Sequence, residues 1–175
     1  MHCLQPAPCT SYHLIMQISN YMELSQRIIV ENVSKKVENF AVEGATVHLK
    51  ICSVGCGAGE LDSLVVANIL EKYPEVSIEY LGIDINEVSC HKAEKTFASL
   101  VHKKLKFDFL NSDILDVSPQ DVGKFDFVVV SHVLYYVKAL EDVLMKCQEI
   151  RKPGGGEFLG LCILLVADIM LYNAI

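Results

Sequence analysis

Four residues in the first half of the chain have the types and the spacing of a nucleotide-cofactor site. Gly55, Gly57 and Gly59 follow an apolar run, and Asp84 ends a second apolar run twenty-five residues beyond Gly59. Glycines let backbone N–H groups come close to a ligand, and a carboxylate at this distance accepts hydrogen bonds from ribose hydroxyls. The pattern is typical of a site that holds an adenosine-containing cofactor.

The residue after the last glycine separates two kinds of cofactor. The dinucleotide fingerprint is G-x-G-x-x-G, and its third glycine would fall where this chain has Glu60. A glutamate there would repel the pyrophosphate that such proteins hold at the positive end of a helix dipole. A cationic ligand without phosphate, such as S-adenosylmethionine, meets no such repulsion. We therefore expect S-adenosylmethionine as the cofactor, and an NAD-type oxidoreductase is a less favoured alternative.

Four stretches of the sequence resemble one enzyme family. They are the glycine loop with its helix start (residues 54–62), Tyr73-Pro74, Phe125-Asp126-Phe127, and the run Leu134-Tyr135-Tyr136-Val137-Lys138. Over residues 18–157 the chain resembles class I S-adenosylmethionine-dependent methyltransferases, and within that group histamine N-methyltransferase and its relatives. The resemblance implies an N-methyltransferase that acts on a small amine or imidazole.

The resemblance assigns cofactor contacts to residues that follow the strands. Gly55, Gly57 and Gly59 would line the methionine and ribose portion, and Asp84 would bind the ribose hydroxyls. The further candidates are Ser89, then Asp113 and Ile114 beside the adenine, and Ser131 near the sulfonium. Each has a purely structural alternative: a tight turn for the glycines, a helix cap for Asp84, a turn for Asp113 and a polar strand end for Ser131.

On the substrate side the resemblance points to aromatic and imidazole side chains. The candidates are Tyr21, which matches a lid aromatic, and His132, Tyr135 and Tyr136. Aromatic faces suit cationic amines, and packing in the core is the alternative for both later tyrosines. The compared family has glutamine at the position of His132, and a structural histidine that is hydrogen-bonded to a neighbouring loop is the alternative there. Methyl transfer needs alignment and a dry site, so we expect no catalytic nucleophile, no obligatory base and no metal.

Hydrophobic patterns supply the elements that must position these residues. They predict strands over residues 49–54, 77–84, 105–109 and 124–130, and helices within 12–40, over 60–72, over 87–102 and over 138–150. In the second and third of these helical regions the pattern places Leu64, Val88 and Phe97 toward the core. Strands that alternate with helices indicate βαβ units. We expect an α/β fold, a Rossmann-like doubly wound and mostly parallel sheet with N-terminal lid helices.

The sequence divides into three regions. Residues 1–45 are expected to form an N-terminal arm and amphipathic lid helices, residues 46–157 the S-adenosylmethionine-binding domain, and residues 158–175 an apolar strand or atypical tail. From Gly160 onward the chain does not match the family, so the final strands of the fold are expected to be missing. A membrane tail anchor is a less favoured alternative, because the central Asp168 is costly in a bilayer. A truncated form that binds the cofactor without turnover is the alternative function.

Net charge and cysteine content limit the kinds of partner and the cellular compartment that we expect. The net charge of −7 argues against nucleic acid as the main partner, because phosphate neutralisation needs clustered basic residues. Seven cysteines without a C-x-x-C pair favour free thiols in a reducing compartment. We expect a cytoplasmic protein with a small-molecule amine as its partner and no membrane partner. The oligomeric state is left open.

Overall fold

Strands and helices alternate along the part of the chain that the computed structural model describes, which is residues 21–40, 47–131, 133–134, 137–153 and 157–159. The helices are α1 (Tyr21–Phe40), α2 (Glu60–Lys72), α3 (Glu87–Ala98), α4 (Pro119–Val122) and α5 (Leu140–Glu149), with a 3₁₀ turn at Ile114–Asp116. The strands are β1 (Val47–Val54), β2 (Val76–Asp84), β3 (Leu105–Asn111), β4 (Phe127–Val130) and β5 (Glu157–Leu159).

The five strands form one parallel sheet in the order β3-β2-β1-β4-β5. β1 pairs with β2 from Val47↔Val76 to Val54↔Ile83, and it pairs with β4 on its other side. The strand order reverses at β1, so a crevice opens outside the carboxyl ends of β1 and β4. The expected Rossmann-like, parallel α/β fold is confirmed.

Two apolar clusters cover the two faces of the sheet, and β4 contributes to both. Phe127 and Val129 pack with α1, α2 and α3 on one face. Val128 and Val130 pack with the 3₁₀ turn and α5 on the other. A strand that is buried on both faces must be apolar at every position, which explains the continuous Phe-Val-Val-Val run.

The helices agree with the predicted ones in position and differ at several ends. α2 has the predicted bounds, whereas α3 ends at Ala98 and not at His102. After the helix, Leu100 N donates to Phe97 O at 3.0 Å, which is the tighter i to i+3 spacing of a turn. Val101 has a φ of 38°, which is incompatible with a right-handed helix. α5 runs from Leu140 to Glu149, inside the predicted 138–150.

Two helical residues that the hydrophobic pattern places inward are exposed. Leu64 of α2 is 51% exposed and Val88 of α3 is 63% exposed. Both lie beside the buried stripe of their helix, where spacing by three or four residues no longer decides which side a residue faces. The prediction that Leu64 and Val88 face the core is wrong, while Phe97 is fully buried as expected.

β4 is shorter than predicted because a carboxylate interrupts its start. The prediction began the strand at Lys124, but the ladder begins at Phe127. Asp126 accepts a hydrogen bond from Lys50 N at 2.8 Å through Oδ2, and Lys152 Nζ contacts the same carboxylate at 2.8 Å. Phe125 forms only a single bridge to Arg151. A side chain therefore takes the place of a ladder hydrogen bond.

At the two ends of the chain the structure covers part of what the sequence predicts. The N-terminal helical pattern is one helix over Tyr21–Phe40, and residues 12–20 lie outside the described part. A short strand, β5, covers Glu157–Leu159 and pairs with β4, so it overlaps the region expected as a strand or tail (158–175) only at residues 158 and 159. Residues 160–175 lie outside the described part. Within the described residues, none of the helices has both the length and the apolar character needed to cross a membrane.

Candidate cofactor site at the carboxyl ends of β1, β2 and β4

Backbone hydrogen bonds fasten the glycine loop to the neighbouring strand. Gly55 N donates to Ile83 O at 2.7 Å, and Cys56 N donates to the same oxygen at 3.3 Å. The loop thus begins as a continuation of the β1–β2 pairing and then turns into α2, since Ser63 N donates to Gly59 O at 2.8 Å. The end of β2 sets where the loop lies.

The Asp84 carboxylate joins the glycine loop to the loop that follows β2. Its Oδ2 accepts from Gly57 N at 2.9 Å, and its Oδ1 accepts from Asn86 N at 2.8 Å. Each carboxylate oxygen has about two lone pairs, so each can still accept a hydroxyl proton. Asp84 is only partly buried, so these remaining acceptor positions can be reached from outside.

The backbone of Asp84 is held as firmly as its side chain. Asp84 O accepts from Ser112 N at 3.1 Å and from Asn111 Nδ2 at 3.0 Å. Asn111 ends β3, so three adjacent segments converge on this residue. Sequence reasoning did not select Asn111, although an amide at the end of the next strand is a signal for such a contact.

The three loop glycines have different physical roles. A Cβ at Gly55 would lie 2.6 Å from Val133 Cγ2, and a Cβ at Gly59 would lie 3.1 Å from the Ala93 methyl carbon. At Gly57, with a φ of +57°, a Cβ would meet nothing within 4 Å. Protein packing therefore accounts for two of the glycines, and only Gly57 borders open space that a ligand can occupy.

Ser89 lies in the first turn of α3, and its backbone is committed to the helix cap. Asn86 is the N-cap, and its Oδ1 accepts from Ser89 N at 3.2 Å. The cap is therefore Asn86 and not Asp84, whose own bond to Asn86 N shapes the turn before the helix. The cofactor role predicted for Ser89 stays a prediction.

The two candidates after β3 lie in different surroundings. Asp113 is exposed and caps the 3₁₀ turn, because its Oδ1 accepts from Leu115 N at 3.0 Å. Ile114 is 6% exposed and belongs to the core cluster beneath the sheet. Asp113 thus has a structural role in a turn, which was the alternative to cofactor binding, and its second carboxylate oxygen, Oδ2, takes no part in this cap. The adenine contacts predicted for Asp113 and Ile114 stay predictions.

Ser131 directly follows β4, beside the reversal in strand order. Its Oγ is buried and has no hydrogen-bond partner among the described residues. Buried hydroxyls are usually paired, so an orphan of this kind at a strand end calls for a partner such as a ligand or an ordered water. The structure thus gives Ser131 a side-chain role to fill in addition to the backbone role predicted from the sequence.

The substrate-side candidates cannot be placed in the same way. His132, Tyr135 and Tyr136 lie outside the described residues. Tyr21 begins α1, and its side chain is also outside the described part. Their substrate contacts stay predictions.

Ile85 is a candidate that sequence reasoning missed. It follows Asp84 directly and is 71% exposed, which is unusual for an isoleucine beside a sheet rim. An exposed apolar side chain beside the Asp84 carboxylate can pack against the face of a base. The available signal was its position, one residue beyond the acidic end of β2.

The first turn of α2 is acidic, with Glu60 exposed at the surface and Asp62 buried. The N-cap residue Gly59 offers no side-chain hydrogen bond. This helix start therefore disfavours an anion and tolerates a cation. The structure keeps the electrostatic preference that the sequence indicates at Glu60.

Comparison with known proteins assigns this chain to a family. The sequence profile of the family described as "Methyltransferase domain" matches residues 52–156, which include the glycine loop, Asp84 and Ser131. The chain belongs to this methyltransferase family.

Relatives of the methyltransferase domain are distant and longer. The human protein named "Ubiquinone biosynthesis O-methyltransferase, mitochondrial" is 28% identical over 142 residues, which cover 78% of this chain and 35% of that protein. The mRNA cap guanine-N(7) methyltransferase of Schizosaccharomyces pombe is 29% identical over 132 residues, covering 71% of this chain and 34% of that one. The chain thus spans about a third of the length of these curated relatives.

Solved methyltransferase structures share the fold. The CurJ carbon methyltransferase superposes with a TM-score of 0.59 at 19% identity, over 79% of this chain and 35% of that one. Magnesium protoporphyrin IX methyltransferase from Synechocystis, solved with bound SAM, superposes with a TM-score of 0.55 at 18% identity, over 82% of this chain and 67% of that one. At these identities the likeness concerns the fold.

A buried polar group lies beneath the glycine loop of this methyltransferase domain. Ser53 Oγ donates to Asp62 Oδ2 at 3.1 Å. The Tyr80 hydroxyl is buried near this carboxylate and helps to stabilise its charged form, although it forms no hydrogen bond with the described residues. Burial raises the pKa of Asp62 to about 6, against the opposing effects of Tyr80 and Ser53.

The thiol in the loop is kept neutral by the same surroundings. Burial, followed by the nearby carboxylates of Asp62 and Asp84, raises the pKa of Cys56 far above its ordinary value. A thiol of this kind carries no thiolate near neutral pH and is a poor nucleophile. Cys56 therefore contributes packing to the loop.

We predict that Asp62→Asn flattens the pH dependence of stability between about pH 4 and pH 6. The folded-state pKa of Asp62 is raised from 3.8 to about 6, so in this window the folded chain keeps a proton that the unfolded chain has lost. Wild-type stability therefore falls as the pH rises through the window, by about 3 kcal/mol. Urea denaturation across the range measures this slope in both chains.

The exposed Asp121→Asn on α4 is the control for this experiment, because it makes the same chemical change without burial. It should keep the wild-type slope. Parallel pH profiles for wild type and Asp62→Asn would contradict the prediction.

Proposed function

We propose that this chain binds S-adenosylmethionine and is the cofactor-binding part of an N-methyltransferase that acts on a small amine or imidazole. The observation that carries the proposal is the 2.9 Å hydrogen bond between Gly57 N and Asp84 Oδ2. It brings the acidic residue at the end of β2 against the glycine loop, inside the crevice where parallel α/β sheets bind ligands.

Four features of the chain fit this cofactor. The space over Gly57 is open where a side chain would block it. Asp84 retains acceptor positions for two ribose hydroxyls beside its bonds to Gly57 and Asn86. Ser131 holds a buried hydroxyl that has no partner among the described residues. The acidic start of α2 suits a sulfonium better than a pyrophosphate.

Methyl transfer from this cofactor requires the chain to position the reactants more than to transfer protons. When bound, S-adenosylmethionine supplies an electrophilic methyl group with a good leaving group. Asp84 and the glycine loop would then fix the direction of that methyl, and the buried end of β4 would keep water away. The neutral Cys56 thiol beneath the loop offers no competing nucleophile.

The proposal that the methyl acceptor is an amine rests on the run Leu134–Lys138 and on the net charge of the chain. That run resembles the histamine N-methyltransferase group, and its two tyrosines offer faces that attract cationic amines. The net charge of −7 favours a cationic acceptor over an anionic one such as an mRNA cap. The names of the relatives reported above refer to ubiquinone biosynthesis and to a cap guanine. The test therefore includes methyl acceptors of both kinds.

Binding without turnover is the second candidate function. It is favoured by the sequence from Gly160 onward, which does not resemble the family. We also propose a reducing compartment, the cytoplasm, because Cys52, Cys56, Cys90 and Cys147 are free thiols.

We predict that Asp84→Asn weakens binding of S-adenosylhomocysteine by about tenfold to a hundredfold, because hydrogen bonds from ribose hydroxyls to a charged acceptor are lost. Titration calorimetry measures the affinity, and the urea midpoint of each variant reports whether the fold is kept. Asp121→Asn on α4 is the matched control and should bind like wild type. Equal affinity in Asp84→Asn and wild type, or binding of NAD alone, would overturn the proposed cofactor.

We predict that Gly57→Ala abolishes cofactor binding while the domain stays folded. The new methyl group meets no atom of the described residues, so the expected loss of stability is that of the positive φ, about 1–2 kcal/mol. The methyl does enter the space that the ligand needs. Gly123→Ala is the matched control, since Gly123 also has a positive φ and nothing within 4 Å of its Cβ position. Unchanged cofactor affinity in Gly57→Ala would refute the placement of the ligand over the loop.

The acceptor is tested by a methylation assay that follows transfer of a labelled methyl group. We predict transfer to histamine or a related small amine, and none to a catechol or to a cap guanosine analogue. Gly57→Ala, which should not bind the cofactor, is the blank. Transfer to the catechol or the cap analogue would replace the amine assignment, and cofactor binding without transfer to any acceptor would favour the second candidate.

A further inference from the structure

Among the described strands, β3 forms one edge of the sheet. Every second residue of β3 directs its backbone N–H and C=O groups away from the sheet. Among the described strands its neighbour is β2. The pairing is bounded by Ile78 N donating to Lys104 O at 2.8 Å and Ser112 N donating to Asp84 O at 3.1 Å. Even-numbered residues of β3 therefore face β2, and the backbone groups directed outward belong to Leu105, Phe107, Phe109 and Asn111, of which Leu105 N already donates to His102 O at 3.1 Å.

The two faces of β3 carry different side chains. Phe107 and Phe109 face α3, with ring centroids 5.6 and 5.2 Å from that of Phe97. Lys106 and Asp108 alternate with them on the opposite face, and both are exposed. The edge thus presents a hydrogen-bonding backbone, an aromatic row and one charge of each sign.

We propose that β3 pairs antiparallel with β3 of a second copy of this chain, about a twofold axis at Phe107. Phe107 then lies opposite Phe107 of the partner subunit, and the two residues exchange both backbone hydrogen bonds. Lys106 lies opposite Asp108 of the partner subunit, and this pair occurs twice by symmetry. The proposal does not rest on the function proposed above.

The charges select this register over its neighbours. The outward backbone groups belong to odd-numbered residues, so the strands can shift only in steps of two. A shift in one direction places Lys106 opposite Lys106 of the partner subunit, and a shift in the other places Asp108 opposite Asp108 of the partner subunit. Like charges directly opposite each other are destabilising, whereas opposite charges stabilise a pair of strands. Among these registers, the one centred on Phe107 pairs opposite charges.

Asp108 is already placed for the exchange that pairing requires. In the single chain its Oδ1 accepts from Phe109 N at 2.9 Å, which covers an outward donor of the edge. In the paired edge, Lys106 of the partner subunit draws this carboxylate away. Phe109 N then donates to Leu105 O of the partner subunit, so no donor is left unpaired.

An apolar cavity beside the edge gives the second copy a surface to cover. It has a volume of about 330 Å³ and is lined by Phe97, Ala98, Val101, Leu105 and Phe107, with His102 and Lys103 at its side. Val101 is 88% exposed there. The aromatic row of a partner edge lies on the same face as this cavity and would shield it from water.

Charge exchange across the pair tests the proposal in solution. Light scattering with size-exclusion chromatography should give the full chain a mass of twice 19.5 kDa. Lys106→Glu and Asp108→Lys each place like charges opposite each other, and each should raise the dimer dissociation constant by about tenfold or more. An equal mixture of the two variants should form dimers again, because every cross-strand pair then joins opposite charges.

Glu71→Lys is the matched control, since it changes an exposed charge on α2 away from β3, and it should leave the dimer intact. Recovery in the mixture also shows that both variants are folded. A monomeric wild-type chain at all concentrations would overturn the proposal, whether solvent or another part of the chain covers the edge. Dimers that persist in both single variants, or folded variants that fail to pair when mixed, would overturn it as well.

Discussion

The carboxylate of Asp84 is the group on which the arrangement of the rim depends. It accepts one backbone hydrogen bond from the glycine loop and one from the turn before α3, at 2.9 and 2.8 Å. Charged acceptors make stronger hydrogen bonds than neutral ones, so this one side chain ties the two loops to each other. Asp84 is only partly buried, so its remaining lone pairs can be reached from outside, and the same carboxylate can both shape the loop and accept from a ribose. A neutral residue at this position would do neither as well.

The glycine loop has a packed side and an open side, and the two sides explain its composition. Gly55 and Gly59 are required by Val133 and Ala93, whereas Gly57 borders empty space. Beneath the loop, Asp62 is buried against Ser53 and Tyr80, and burial raises its pKa to about 6. Near pH 7 a carboxyl with this pKa is still mostly ionised, so Asp62 adds to the negative charge that Asp84 and Glu60 present to a ligand.

Hydrophobic periodicity located the long elements because each buries one face or both. α2 has the predicted bounds, and β4 is apolar at every position because both of its faces are covered. The pattern failed where one side-chain hydrogen bond or one backbone angle decides. Asp126 delays the start of β4, and Val101 with its positive φ ends α3 early. The 3₁₀ turn and α4 are too short to show a period, and Leu64 and Val88 lie at the margin of their helical stripe.

The sequence by itself determined the fold class, the position of the glycine loop, and the acidic residue that ends β2, because these follow from local pattern and spacing. Tertiary structure alone decided which loop glycine a Cβ could replace without contact to a described residue, that Asn111 and Asn86 support Asp84, and that Ile114 is a core residue. It also decided that the buried Ser131 hydroxyl has no hydrogen-bond partner among the described residues. These properties depend on which atoms lie within a few ångströms across strands that are distant in the chain. No local pattern encodes that proximity, since it arises only when the sheet order brings β1, β2, β3 and β4 side by side.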